Sequence, residues 1–196
     1  MREISPCSNV GVEEFLLHVP AFARALVARI REQKREGTRP LPSVVTIDRS
    51  ALLVAEKRHA LLDRVAALVD ENLVGRAEMC LQFANLLAKG LIHLGLSARA
   101  VVGEAIYSDA TGAELFRWRH AWVRVGDEVI DGNVDILAEN PMVPPSVRVF
   151  PYWGPIRETP GDRHLREQRG ERLSPDEDVD GIWWPELRQW LDNAAS

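Results

Sequence analysis

The chain has 196 residues, 46% of them hydrophobic and 27% charged, a balance that suits one globular domain with a full core and excludes a disordered tail. Its 24 Lys plus Arg and 29 Asp plus Glu give a formal charge of -5 with no basic block, which argues against nucleic acid as a partner. Two cysteines, Cys7 and Cys80, are too few for a disulfide framework and lack the paired spacing of a structural zinc site, so reduced thiols and a cytoplasmic location are expected.

The first residues, Met1-Arg2-Glu3-Ile4-Ser5-Pro6-Cys7, carry an early acid and no apolar run, so no secretory signal is visible. Over residues 12–35, Phe15, Leu16, Val19, Phe22, Leu26 and Ile30 recur at helical spacing, with Pro20 starting a second helix. Gly37-Thr38-Arg39-Pro40-Leu41-Pro42 reads as a turn. Asp48-Arg49-Ser50 offers caps for a helix running to about Asn72, with Leu52, Leu53, Ala60, Leu61, Val65 and Leu68 as its core stripe.

The segment from Cys80 to Leu91 is apolar on most sides, as in a helix buried between layers, with Cys80 in its first turn and Gly95 as its stop. Lys89, Gly90, His93, Gly95 and Arg99 interrupt the apolar stretch 86–102, so no membrane span is expected. Residues 98–107 read as a strand, Thr111-Gly112 as a loop, and residues 116–125 as a second strand. Gly126-Asp127 is a turn signal, and residues 128–131 form the return arm of a hairpin. Prolines dominate residues 141–160, although residues 147–150 suit a short edge strand. Residues 159–180 are almost wholly polar and read as a surface lid or partly helical excursion. Residues 182–191, with Trp183, Trp184 and Trp190, read as an amphipathic helix docking on the body.

Cys80 carries the strongest chemical signal. A cysteine in a helix's first turn meets the positive end of the helix dipole, which favours the thiolate, and its backbone N–H belongs to the unpaired donors that can stabilise an oxyanion. A nucleophilic thiol needs a base and a group to orient that base, and the hairpin offers His120 and Asp131. Strand alternation puts His120, Trp122, Asp131 and Asn133 on one face; a two-residue loop sets His120 opposite Asn133 and diagonal to Asp131, and another register sets it opposite Asp131. Trp122 suits either a wall of the site or plain core packing. Asn133 and Asp135 rank behind Asp131 as orienters. His18, His59 and His164 read as surface residues and Cys7 as incidental, and a metal site from Cys80, His93, His120 and Asp131 is the weaker alternative.

Cys80 with Phe83-Ala84 behind it, Leu94-Gly95-Leu96-Ser97-Ala98-Arg99 followed by Val102-Gly103, His120-Ala121-Trp122-Val123, and Val129-Ile130-Asp131 together resemble the transglutaminase-like superfamily of papain-type folds, bacterial cysteine peptidases among them. The resemblance covers residues 75–135. It implies an α+β fold with the nucleophile helix packed on an antiparallel sheet, Cys80 as nucleophile, His120 as general base and acid, and Asp131 as its orienter. Glycine often stands close before the cysteine in this family, whereas Arg76-Ala77-Glu78-Met79 follow Gly75 here. Superfamily members include protein cross-linkers, peptidases, amidases, leader peptidases of lasso-peptide maturation and inactive relatives, so the resemblance bears on chemistry more than on substrate.

The expectation is therefore a single domain over residues 1–196, helical over residues 1–74, with a catalytic core over 75–157 and the polar excursion and C-terminal helix over 158–196. Its function would be hydrolysis of a peptide or protein amide, or an ester, through an acyl-cysteine, with Trp122 and Asn133 contacting substrate and neither metal nor organic cofactor required. Two rivals are a catalytically silent protein-binding domain and an acyltransferase of the arylamine N-acetyltransferase kind, for which no basic phosphate-binding cluster stands out.

Overall fold

A computed structural model describes residues 21–39, 47–72, 75–140, 142–168 and 176–194. The chain divides into two compact units, Met1–Arg39 and Pro40–Ser196. In the first, helix α1 (Ala21–Glu36) starts directly after Pro20, buries Leu26, Val27 and Ile30, and ends with Lys34 and Arg35 against its negative pole. The helix expected before Pro20, His18 and Cys7 lie outside the described residues.

The second unit is built of helices and a mixed six-stranded sheet, an α+β arrangement. In chain order it contains β1 (Ile47–Asp48), α2 (Ala55–Val69), α3 (Cys80–His93), β2 (Ala98–Ser108), β3 (Glu114–Val125), β4 (Glu128–Asp131), β5 (Tyr152–Pro155), β6 (Arg163–Glu167) and α4 (Trp184–Ala194). The strands lie in the order β1-β5-β4-β3-β2-β6, with β1 and β5 parallel and every other pair antiparallel. Among the described residues no helix is long and apolar enough to cross a membrane.

Helix α3 forms the centre of the core. Phe83, Ala84, Leu86, Leu87 and Leu91 are buried, and they share one cluster with Leu61, Leu62, Val65 and Leu68 of α2, Val102, Ala121 and Val123 of the sheet, and Leu187 and Leu191 of α4. Each fully buried leucine or phenylalanine contributes roughly 1.5–3 kcal/mol relative to exposure. Gly90 lets the helices close: a Cβ there would sit 3.2 Å from Leu187 Cδ2 and 3.4 Å from Leu61 Cδ1. Gly95, at φ 83°, ends the helix as the sequence predicts.

Four expectations change. Asp48 and Ser50 do not cap α2, which starts at Ala55 after an uncapped Val54. Asp48 instead accepts a 2.8 Å bond from the buried Arg58 Nε, and Ser50 donates to Glu128 at 2.6 Å. Leaving a buried guanidinium unpaired costs about 3–5 kcal/mol, whereas a missing cap costs about 1 kcal/mol, so the ion pair takes precedence. Ala60 is exposed, off the α2 face that buries Arg58, Leu61, Leu62 and Val65. Residues 147–150 form no strand: Val147 and Val149 pack irregularly on Ala105 and Tyr107, and the strand of this stretch is β5, after Pro151, which lies inside the sheet between β1 and β4. The polar stretch 159–180 is no simple lid, because it contributes β6, which extends the sheet along β2. Ahead of α4, Val179–Trp183 forms one wide helical turn that buries Val179 and Trp183.

Candidate active site

Residues 75–79 deliver Cys80 to its place. The Arg76 guanidinium, 5% exposed, donates to Asp135 at 3.0 and 2.6 Å and to Asn133 Oδ1 at 3.2 Å, while Asn133 Nδ2 returns a 3.2 Å bond to the Arg76 carbonyl. Asp70 accepts the Arg76 N–H at 3.2 Å. Glu78 then turns the chain at φ 60°, a left-handed conformation unusual for a residue with a side chain. Two residues on, Cys80 opens α3, half-buried, as a free thiol. Met79 supplies no side-chain cap, and the first helical N–H groups are among the donors that a helix itself leaves without partners.

The hairpin brings the other two residues. Val125 pairs with Glu128 around the two-residue Gly126-Asp127 turn, so His120 lies diagonal to Asp131 and the alternative register does not occur. His120 Nε2 and Asp131 Oδ1 are 2.7 Å apart, both side chains wholly or almost wholly buried. The other ring nitrogen, Nδ1, is not engaged by Asp131, and the Cys80 side chain is near enough to the imidazole to help hold its proton. Thiol, imidazole and carboxylate therefore lie together in one cluster.

A fourth member comes from β6. Arg163 Nη1 donates to Asp131 Oδ2 at 2.7 Å with both groups fully buried, Nη2 reaches the Phe150 carbonyl at 2.6 Å, and Nε bonds Asp162 at 2.8 Å. Each Asp131 oxygen thus has its own charged donor. Burial opposes the charge on His120, but the Asp131 carboxylate and then Cys80 outweigh it and raise the imidazole to about 10. Burial likewise opposes the Asp131 carboxylate, yet His120 and then Arg163 hold it below the usual carboxylate range. Tyr107, also buried, faces this cluster; burial and then the Asp131 charge push its phenol well above its ordinary value, and its hydroxyl has no partner among the described residues.

Two adjoining lobes of a cleft, about 20 and 300 Å³, meet at Glu78, Cys80, Trp118 and His120. The smaller runs on to Asn133 and Asn140, and the larger to Gln82 and Arg119. Asn133 is in the lining, but its amide holds Arg76. Asp135 serves the same arginine and does not orient His120. Trp122 is absent from the lining: 2% exposed, it packs with Val101, Val129 and Tyr152, its ring centroid 6.3 Å from that of His120. Trp118, which shares its strand face, is the tryptophan in the cleft. His93 bonds Asp192 at 2.7 Å at the far end of α3, and among the described residues no three His, Cys, Asp or Glu side chains are grouped to hold a metal ion. His59 lies beside Asp48, and His164 is exposed on β6.

Arg163 and Glu78 had no signal in the sequence. Arg163 sits in a polar run where alternation carries no hydrophobic contrast, and Glu78 stands where a glycine would have marked the turn. No protein-family model matches the chain, and neither does any curated protein or solved structure.

Proposed function

We propose that this protein is a thiol-dependent acyl enzyme of the transglutaminase-like, papain-type kind, working as a peptidase or amidase on a peptide or protein amide. The observation that supports this most directly is the cluster of Cys80 with the buried His120–Asp131 pair, opening at its thiol into a cleft. The Cys80 sulfur attacks the substrate carbonyl carbon, forming a C–S bond and placing negative charge on the oxygen. Backbone N–H groups at the start of α3 stabilise that charge. His120, held as imidazolium by Asp131, gives its proton to the departing nitrogen as the C–N bond breaks. Water then adds to the thioester while His120 takes a proton from it, and the acid leaves as the proton returns to sulfur. Asp131 stays ionised, fixed between His120 and Arg163, and keeps the ring aimed at Cys80.

An activated ester tests this without knowledge of the natural substrate. In a Cys7→Ser background, p-nitrophenyl acetate is expected to acetylate Cys80, seen by peptide mass spectrometry, with release of nitrophenol. Cys80→Ala is expected to lose the reaction and His120→Ala to slow it at least about a hundredfold, the usual contribution of a positioned acid–base group. Equal nitrophenol release from wild type and Cys80→Ala would refute the proposal. Cys80 that stays unacetylated in a folded protein would favour the silent binding domain.

A further inference from the structure

The two cleft lobes share one carboxylate. Glu78 lies two residues before the thiol and lines both lobes together with Cys80, His120 and Trp118. Its position is held from both directions. The backbone adopts φ 60°, which costs a residue with a Cβ roughly 1–2 kcal/mol. Asn140 Nδ2 donates to Glu78 Oε1 at 2.6 Å, and Asn140 is in turn fixed by the Met142 N–H on its Oδ1 at 2.9 Å.

The cations around it are engaged elsewhere. His120 bonds Asp131, Arg163 bonds both Asp131 and Asp162, and Arg76 bonds Asp135. Arg119, the cation in the larger lobe, has a partner of its own. Among the described residues no cation pairs with Glu78, whose carboxyl is pushed up by burial against the opposing effect of its Asn140 bond. A carboxylate desolvated in this way gains most from a cation brought by a ligand, and the neighbouring Trp118 indole gives that cation an aromatic surface.

Building on the thiol-enzyme reading, we propose that Glu78 is a specificity residue that selects substrates carrying an amine or guanidinium a few bonds from the reacting carbonyl. The cation docks on the Glu78 carboxylate and Trp118, and the carbonyl is thereby set against Cys80. A substrate with an acid at that place meets a like charge instead.

Charged thiol reagents of matched size test this. Cys7→Ser protein is treated with the 2-trimethylammonioethyl, methyl and 2-sulfonatoethyl methanethiosulfonates. In each case the Cys80 sulfur forms a disulfide and methanesulfinate leaves, and rates are divided by those of the same reagents with glutathione. The corrected cation-to-anion ratio is expected to exceed about tenfold in low salt, to shrink as salt screens the site, and to fall at least about threefold further in Glu78→Gln, which retains an acceptor for Asn140. A ratio near one in wild type, a preference for the anion, or a ratio unchanged in folded Glu78→Gln would overturn the inference. Should Glu78→Gln not fold, the wild-type ratio and its salt dependence decide alone. If the neutral methyl reagent modifies Cys80 no faster than glutathione, the thiol-enzyme reading itself falls, and this inference with it.

Discussion

Replacing Asp131 with asparagine removes one charge from a buried chain of three. In the wild type, Asp131 accepts His120 Nε2–H at 2.7 Å on one oxygen and Arg163 Nη1–H at 2.7 Å on the other, with neither Asp131 nor Arg163 exposed. An asparagine oxygen can accept from only one of these donors, and its NH2 then faces the other. Breaking a buried pair in this way costs about 3–5 kcal/mol, a large part of the roughly 5–15 kcal/mol that stabilises a domain. At about 2–4 °C per kcal/mol for a chain of this size, the melting temperature is expected to fall by about 6–20 °C.

The pH dependence separates this from a generic core defect. His120 titrates at about 10 in the folded protein against an ordinary 6.5, so between these values the folded state holds a proton that the unfolded chain has lost. Its contribution is therefore complete below about 6.5 and lost as pH rises through 10, at up to about 1.4 kcal/mol per pH unit. Asp131→Asn removes the main group that raises His120 against burial, so this alkaline slope should flatten. Asp131, held below the ordinary 3.8, works in the opposite sense: its contribution is complete above that value and is lost as acid protonates it, a limb the variant should also lack. Urea unfolding followed by tryptophan fluorescence from pH 5 to 10 measures both stability and slope. A variant within about 1 kcal/mol of wild type, or one that keeps the wild-type alkaline slope, would refute the reasoning.

Two further substitutions probe the elements that hold the site. Gly103→Ala puts a Cβ 2.0 Å from the Arg166 carbonyl oxygen and 2.7 Å from the Trp122 ring, so β6 must separate from β2; a loss above about 3 kcal/mol is expected, with faster amide exchange in residues 163–167. Retention of wild-type protection in β6 would contradict this. Arg76→Met leaves Asp135 and Asn133 without their donor and frees the segment before Cys80, with an expected loss of about 2–4 kcal/mol in thermal unfolding and slower acetylation of Cys80. Unchanged acetylation would show that the loop does not depend on this clamp.

The hairpin was legible because its signals are local. Gly126-Asp127 marks the turn, and residues 128–131 form the return strand as predicted, although the register that sets His120 diagonal to Asp131 rather than opposite it comes only from the observed Val125–Glu128 pairing. The α3 helix was equally plain, since its apolar surface and Gly95 stop leave little alternative. What escaped depends on distant partners. Arg163 is buried only because Asp131, thirty-two positions earlier, requires a second donor, and nothing in Arg163-His164-Leu165-Arg166-Glu167 reads as a strand until β2 is beside it. Asp48 looks like a cap until Arg58 is seen to need it. Alternation put Trp122 on the His120 face but singled out the wrong tryptophan for the cleft: Trp118, on the same face, lines it, because Val101, Val129 and Tyr152 cover the stretch that holds Trp122.

The most direct test of the central claim is the rate of iodoacetamide alkylation at Cys80 as a function of pH, read by peptide mass spectrometry in Cys7→Ser protein with and without His120→Ala. If the imidazole and thiol act as a pair, Cys80 is alkylated readily from pH 6 upward in the parent protein, and the low-pH portion of that reactivity disappears when His120 is replaced. Superimposable rate–pH profiles from two folded proteins would show that His120 does not govern Cys80, and the proposed thiol mechanism would have to be abandoned.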